Sequence, residues 1–469
     1  AMVGSVDYYN KDIDGEVNMA LAPRQPGSSF KPYTYLAAFE QGYTAATVIE
    51  DSPVTFPTPE GQPYSPTNID KRYHGAVTLR RALACSYNVP AVKLLNMIGI
   101  DKTLEMARRL GITTLGEGYY GLSLALGTAE VRLLDHVFAH CAFANGGIAF
   151  GWPLPEPLRR PAFAELEPVS ILVIQDAYGN MLRHPAQPEM RRVADPRHVY
   201  VLNSILSDEE ARKPAFGASA GNLVLPDRPV ATKTGSTDGY TNAWAMGYTP
   251  QYAVGVWVGN TDHRGMKGLV GSVGAGPIYR AIMEKLHQGL PVMPFQRPPG
   301  IVEVEVCPLS GLLPGENCLR TAVEVFVEGT QPTEHCALQE HVYDPTEFPS
   351  EEDRPVSEQP PLPAEGSSER GVVNISYPAA GATLRGTVSI WGTATSPNLW
   401  YHKVEYSRDG DNWITCEADY MKTNPVTNGV LASWDTTAVE NGSYWLRAVV
   451  VDNTGNYVAS GPIRVTVAN

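Results

Sequence analysis

Apolar positions recur at three- and four-residue intervals through much of residues 28 to 147. "SFKPYTYLAAFEQG", "TLRRALACSYNVPAVKLLNMIG" and "DKTLEMARRLG" carry this spacing most plainly, and Gly99, Gly111, Gly146 and Gly147 stand where helices would stop. The pattern predicts a largely helical lobe. From 169 to 260 the rhythm changes to short Val-, Trp- and Tyr-rich runs. "VSILVIQDAYGNMLRH" reads as a hairpin around Gly179-Asn180, and "VATKTGS", "NAWAMGYT" and "YAVGVWVGN" read as strands. A helix is expected from Gly276-Pro277 through "IYRAIMEKLHQG". Helices with an antiparallel sheet in one segment predict the α+β class. Residues 339 to 371 are acidic and rich in Pro and Ser, the composition of a linker. Beyond them, "TVSIWGTA", "KVEYSRDG", "YWLRAVVVD" and "PIRVTVAN" alternate between Gly, Asn and Asp turns, which predicts an all-β sandwich over 372 to 469.

Composition narrows the partners. The 469 residues exceed what one core organises, and 43% hydrophobic content supports globular cores. Net charge is −14 with no Lys/Arg-rich run, so a nucleic-acid or anionic-membrane surface is not expected. No apolar stretch reaches the ~20 residues that a membrane helix needs. The N-terminus "AMVGSVDYYNKD" has the features of neither a signal peptide nor an anchor. Of the six cysteines, Cys85 and Cys141 lie in apolar helical text and read as buried small hydrophobes. Cys307, Cys318 and Cys336 crowd into one segment without the paired Cys-x-x-Cys knuckles of a zinc site, and one disulfide among the three is expected if the protein is exported.

The candidate chemistry begins at "RQPGSSFKP". Ser28 and Lys31 stand one helical turn apart, which sets a hydroxyl beside an amine. Gly27 supplies the tight turn, and Pro32 is tolerated because first-turn N–H groups have no intrahelical partner. Alone, the pair is weak evidence, since a capping serine and a solvated lysine would look the same. Two further stretches change that: "CSYN" supplies Ser86 and Asn88, and "TKTGSTDGY" supplies Lys233, Thr234, Gly235, Ser236 and Thr237. Acyl transfer explains the set. Ser28 must lose a proton to attack a carbonyl, and Lys31 takes it if burial and nearby cations depress its pKa. Ser86 relays the proton to the leaving amine, Lys233 tunes the field, and Asn88 holds Lys31. Lys233, Thr234 and Ser236 suit a carboxylate, and the main-chain N–H groups of Ser28 and Ser236 suit an oxyanion.

Ser-x-x-Lys, Ser-x-Asn and Lys-Thr-Gly in that order form the signature of penicillin-binding proteins and related β-lactamases. Together with "AMVGSVDY", "YSPTNID", "GAVTLRRALACSYNVPAVKLL" and "YGLSLALGTAEV", the chain resembles the transpeptidase domain of class A, bifunctional penicillin-binding proteins. "CPLSGLLP" resembles the tail that follows that domain, and residues 372 to 469 are similar to immunoglobulin or fibronectin type III modules. Tyr87 stands where the usual triplet carries Asp. The resemblance implies a penicillin-binding, serine β-lactamase-like fold over 1–300, a Cys-containing tail over 301–338, the linker over 339–371 and the sandwich over 372–469. It also implies that the glycosyltransferase domain, the membrane anchor and the first part of the transpeptidase sheet are missing. The implied activity is cross-linking of peptidoglycan stem peptides ending in D-Ala-D-Ala, on the extracytoplasmic face of the bacterial plasma membrane. β-Lactams would be covalent inhibitors and other cell-wall synthesis proteins partners, with no cofactor and no metal ligand.

Three rivals share the chemistry: a D,D-carboxypeptidase, a serine β-lactamase and a penicillin-sensing domain. Between Asn88 and Lys233 no Glu is followed by Asn at the third or fourth position, so the deacylating Glu loop of a β-lactamase is not expected. Elsewhere the simpler readings hold. His136 and His140 have zinc-compatible spacing but lack the Glu of the zinc-protease motif, and they read as a helix face. "GLVGSVGAGP" reads as a turn into a helix. Trp391, Trp400, Trp413 and Trp434 read as sandwich core.

Overall fold

A computed structural model describes residues 1 to 469 except 59, 60, 62, 170–172, 184–187, 340–371, 398, 409, 411, 412, 418–421 and 453–456. The expected linker therefore lies outside the described residues, apart from Gln339. The chain divides into two compact units, Ala1–Pro349 and Ser350–Asn469.

The first unit is built around helix α1 (Lys31–Glu40), entered through a 3-10 turn at Gly27–Phe30. Phe30, Tyr33, Tyr35, Leu36 and Phe39 are almost wholly buried, and every residue of α1 from Lys31 to Phe39 is buried, so the helix is covered on all sides and sits inside the core. Burial of each such side chain contributes roughly 1.5–3 kcal/mol. Around it pack α2 (Leu79–Ala84), α3 (Asn88–Ile98), α4 (Ile100–Leu110) and α5 (Leu133–Ala144). A two-stranded hairpin, β1 (Val48–Asp51) with β2 (Gly75–Thr78), interrupts the helical text; its long connection hid the pairing from the sequence pattern. β3 (Ile148–Pro153) pairs with β4 (Leu166–Glu167) and β7 (Glu189–Arg192), while β5 (Ile174–Gln175) and β6 (Met181–Arg183) form the hairpin expected at Gly179-Asn180.

Residues 196 to 216 depart from the expected strand text. They form α6 (Pro196–Leu206) and α7 (Glu209–Phe216). "HVYVLNSIL" is β-branched enough to resemble a strand, but Asp195 caps the Arg197 N–H and Pro196 fits the first turn, and burial of Val199, Leu202 and Ile205 settles the period at 3.6. The central sheet follows: β8 (Ala231–Ser236), β9 (Asn242–Tyr248) and β10 (Ala253–Gly259), antiparallel in the order β10-β9-β8. β8 lies at the sheet's edge, beside the 3-10 turn. The short helix α8 (Gly271–Gly274) leads into α9 (Gly276–His287), as the glycine-rich turn predicted. β11 (Ile301–Val306) and β12 (Ala322–Val327) close the unit as a hairpin whose Val306 and Phe326 pack on Ala46.

The second unit has two layers, antiparallel among the described residues except where Thr383–Leu384 runs parallel to Ile463–Val467. Val372–Tyr377, Thr387–Thr395 and Val426–Asp435 form one. Thr383–Leu384, Ile463–Val467, Gly442–Asp452, Leu399–Ser407 and Ile414–Thr415 form the other, with Tyr457–Ala459 paired to Gly442–Asp452. Ile390, Val404, Trp434, Leu446 and Val465 fill the core between them. The expectation for the tryptophans needs correcting: Trp434 is buried and stacks on Tyr406, but Trp400 and Trp413 are half-buried and Trp391 is exposed, because strand alternation turns Trp391 away from Ile390.

Candidate active site

Ser28 and Lys31 share the tight turn into α1, where the Lys31 N–H donates to Ser28 O. The turn closes only because two glycines allow main chain to meet main chain. Gly27 is left-handed, with φ +57°, and a Cβ there would lie 2.5 Å from Ser236 O. A Cβ on Gly235 would lie 2.0 Å from Pro26 O. The edge strand β8 is thus pressed against the serine turn, which brings the backbones of Ser28 and Ser236 side by side.

Lys31 is fully buried and surrounded by oxygen. Its Nζ donates to Ser86 O at 2.5 Å, Tyr87 O at 2.9 Å, Asn88 Oδ1 at 2.9 Å and Ser86 Oγ at 3.4 Å. Burial pulls its pKa well below the ordinary lysine value, and the nearby Lys233 lowers it further, against a smaller opposite pull from Asp51. Lys233 Nζ reaches Ser86 Oγ at 2.7 Å and Thr234 O at 3.0 Å. Its pKa is lowered to about 7, first by burial and then by the Arg212 guanidinium. Ser86 thus stands between two lysines, its hydroxyl within reach of both. It is also held in the left-handed region, φ +62°, a backbone strain of roughly 1–3 kcal/mol for a residue with a Cβ.

The structure brings Lys31, Ser86, Asn88 and Lys233 into one hydrogen-bonded network beside Ser28. Among the β8 residues, Ser236 Oγ accepts the Gly271 N–H at 2.9 Å, which leaves its own proton to donate. Thr234 is buried on β8 near Gly271. Thr237 is bound into its own turn: its Oγ1 accepts from the Asn242 N–H at 3.0 Å and pairs with Thr241 Oγ1 at 2.8 Å. Asn88 Nδ2 donates to Thr67 O at 3.0 Å.

Sequence reasoning missed the support behind Ser86-Tyr87-Asn88. Helix α3 begins at Asn88, and its N-cap Tyr87 makes no side-chain capping bond. Asn68 caps it from a distant loop, with its Oδ1 accepting from Asn88 N at 2.8 Å and Val89 N at 3.2 Å. Asn68 Nδ2 donates to Asp51 Oδ2, and Asp51 also takes His74 Nδ1 at 2.6 Å. The His74 ring stacks on Tyr87 with centroids 3.9 Å apart. Burial alone would depress His74, but hydrogen bonds to Asp51 and Asp70 raise it to about 9. An uncapped tyrosine at a helix start was the one available signal. Arg212, wedged against Thr232 and Leu206 O, was also missed.

His136 and His140 are buried in the core and bond to Tyr33, Ser29 and backbone oxygen. A cleft of about 610 Å³ lined by Glu40, Arg109, Asp195 and Arg197 lies elsewhere in the unit and contains no nucleophile next to a buried base. The expected disulfide is also absent: Cys307, Cys318 and Cys336 are all thiols, with every pair of their sulfurs within 4.8 Å, whereas a disulfide needs ~2.05 Å.

A hydroxyl on a helix-entry turn, two buried lysines with depressed pKa values sharing a second serine, and an edge strand against that turn form the arrangement that active-serine acyl transfer would use. Comparisons with known proteins identify the domains. Residues 1–123 match the penicillin-binding protein transpeptidase domain, 297–341 the penicillin-binding protein 1A C-terminal domain, and 372–448 a bacterial Ig domain. Penicillin-binding protein 1A of Aquifex aeolicus is 34% identical over 339 residues, covering 72% of this chain and 43% of that protein. The Neisseria lactamica protein of the same name is 33% identical over 313 residues, covering 64% of this chain and 36% of its own length. The crystal structure of penicillin-binding protein 1A from Haemophilus influenzae superposes with a TM-score of 0.59 at 28% identity, covering 69% of this chain and 51% of that one. The chain belongs to the class A penicillin-binding proteins through its transpeptidase domain and 1A-type C-terminal domain. It spans less than half the length of these two curated relatives.

Proposed function

We propose that the chain is a D,D-transpeptidase that joins peptidoglycan stem peptides through an acyl-enzyme on Ser28. One observation carries the reading: Ser86 Oγ lies within hydrogen-bond reach of both Lys31 and Lys233, and burial suppresses both charges. Neutral Lys31 accepts the Ser28 proton as Oγ attacks the carbonyl of the penultimate D-Ala. The oxyanion is received by the main-chain N–H groups of Ser28 and Ser236, which the Gly27 and Gly235 contacts hold together. Ser86, hydrogen-bonded to Lys233, passes a proton to the departing D-Ala amine. An amine from a neighbouring strand then attacks the ester and releases Ser28. Lys233, Thr234 and the Ser236 hydroxyl receive the terminal carboxylate, with Gly235 letting β8 close on the serine turn and Thr237 holding its own turn. Asn88 positions Lys31.

β-Lactams, whose strained amide mimics the D-Ala-D-Ala bond, acylate the same hydroxyl without needing an acceptor. The substrate places the domain on the extracytoplasmic face of the membrane; no helix among the described residues is long and apolar enough to cross one. The test is incubation with a labelled penicillin followed by peptide mapping. The label is expected on the Ser28 peptide and absent from Ser28→Ala. Label on Ser86, or none on a folded parent protein, would refute the assignment.

A further inference from the structure

The tail of the first unit contains a cluster that acyl transfer does not use. Cys307 follows β11 directly, and the chain folds back at once, with Cys307 N donating to Leu312 O at 2.8 Å and Gly311 N to Cys307 O at 2.8 Å. Leu313 then forms an isolated bridge with His335, and Cys336 N donates to Leu313 O at 2.7 Å. A second small loop brings Cys318 round: its N–H reaches Gly315 O at 3.1 Å, and the Gly315 N–H points back to Cys318 Sγ at 3.2 Å. Gly315 makes this convergence possible, because a Cβ there would lie 2.0 Å from Cys336 O. Cys307 and Cys336 are buried and Cys318 half-buried, with the three sulfurs all within 4.8 Å of one another.

Two of these thiols would satisfy a disulfide and leave the third stranded beside it. Three satisfy a metal. Thiolate ligation at ~2.3 Å spaces sulfurs about 4 Å apart, which the cluster reaches with small side-chain adjustments. A backbone N–H directed at a ligating sulfur, as from Gly315, also stabilises thiolate charge. We propose that Cys307, Cys318 and Cys336 form a three-thiolate site for one soft, thiophilic divalent ion of the zinc class, with the fourth position taken from solvent on the half-exposed Cys318 side. Each ligand gives up its proton to solvent on binding. Binding therefore competes with protons and weakens in acid.

The site would be structural. It ties the β11–β12 connection, which carries Cys307 and Cys318, to the segment after β12 that carries Cys336, on a hairpin that as an isolated two-stranded unit has little stability of its own. The same hairpin is docked on the helical lobe through Arg80, which donates to Glu324 at 2.6 and 2.7 Å, and through Gly311, whose Cβ would meet Ala46 O at 2.0 Å. The ion would therefore stabilise the tail on the lobe without touching the serine pocket.

The test uses the full chain, reduced and freed of metal under anaerobic conditions, and titrated with cadmium alone. Thiolate-to-cadmium absorption should saturate at one ion per chain, with three of the six cysteines losing reactivity to a thiol reagent. Cys318→Ser should weaken binding at least tenfold and Cys141→Ser should leave it unchanged. Zinc should raise the melting temperature of the parent protein but not of Cys318→Ser. Cys318 is half-exposed, so its serine variant is expected to keep the parent circular dichroism and to serve as the test even if Cys336→Ser fails to fold. Absence of the cadmium band, equal binding by Cys318→Ser, or a disulfide within the trio whose reduction restores no metal binding would overturn the proposal.

Discussion

Ser28 and Ser29 are neighbours in sequence and lie on two sides of one turn, each near a side chain that serves elsewhere as a general base. On the Ser29 side the base is His136, with Nε2 3.0 Å from Ser29 Oγ. Yet Ser29 Oγ donates its only proton to Pro26 O at 2.8 Å, so His136 Nε2–H must be the donor to Ser29, and Nδ1 is left to accept from Tyr33 at 2.6 Å. The proton points the wrong way for catalysis. Burial, and then His140, hold His136 well below the usual imidazole value, so the group stays neutral in an apolar core. On the Ser28 side two ammonium groups compete in one buried space, and each has its charge suppressed by burial first and by a neighbouring cation second. Proximity of a serine to a base is common to both sides. A surplus of like charge that makes a proton movable is found on the lysine side.

The sharpest way to break this comparison is to exchange the serines' fates. Ser28→Ala should abolish penicillin labelling. Ser29→Ala should keep the labelling rate within about threefold, while destabilising the fold by about 1–3 kcal/mol, because His136 Nε2–H loses its acceptor. Labelling kinetics and urea unfolding measure the two, and loss of labelling in a folded Ser29→Ala would place it in the mechanism. A smaller effect is expected from Lys233→Met. Removing that cation removes one cause of the low Lys31 pKa, so the pH midpoint of acylation should move upward, and each unit of movement lowers the rate near neutrality about tenfold. A midpoint that stays in place would show that burial alone sets Lys31. Tyr33→Phe should cost about 1–3 kcal/mol with acylation unchanged, since it strips His136 Nδ1 of its donor and leaves the lysine hydrogen bonds in place.

The smallest effect concerns the support behind the lysine side. His74 is raised to about 9 in the fold against ~6.5 unfolded, so its stabilisation is complete below pH ~6.5 and disappears as pH rises towards 9. His74→Asn should flatten that slope in urea unfolding series. An unchanged slope would show that Asp51 and Asp70 do not act on the fold through His74.

The meeting of Lys31, Ser86, Asn88 and Lys233 beside Ser28 was legible because short-range geometry and motif order mark these residues even though Lys233 stands 205 positions after Ser28. The sandwich was legible because its strands alternate so regularly. Asn68, Asp51 and His74 were not, because common polar residues acquire meaning only when the long β1–β2 connection folds them under Tyr87. The helices at 196–206 and 209–216 were hidden by β-branched residues whose burial outweighs propensity. The three-way approach of Cys307, Cys318 and Cys336 depends on a glycine with no visible signature of that role.

The contact of Gly235 with Pro26 also limits how such a protein could escape an antibiotic. A methyl group at 235 would lie 2.0 Å from a carbonyl oxygen that belongs to the serine's own turn, so the chain cannot shield Ser28 by growing a side chain there without pushing Ser28 out of place. Gly27, against Ser236 O, closes the other half of the same seam. Selection for exclusion of a bulky inhibitor must therefore act on residues farther from the nucleophile, where the change alters entry to the pocket and leaves the seam intact.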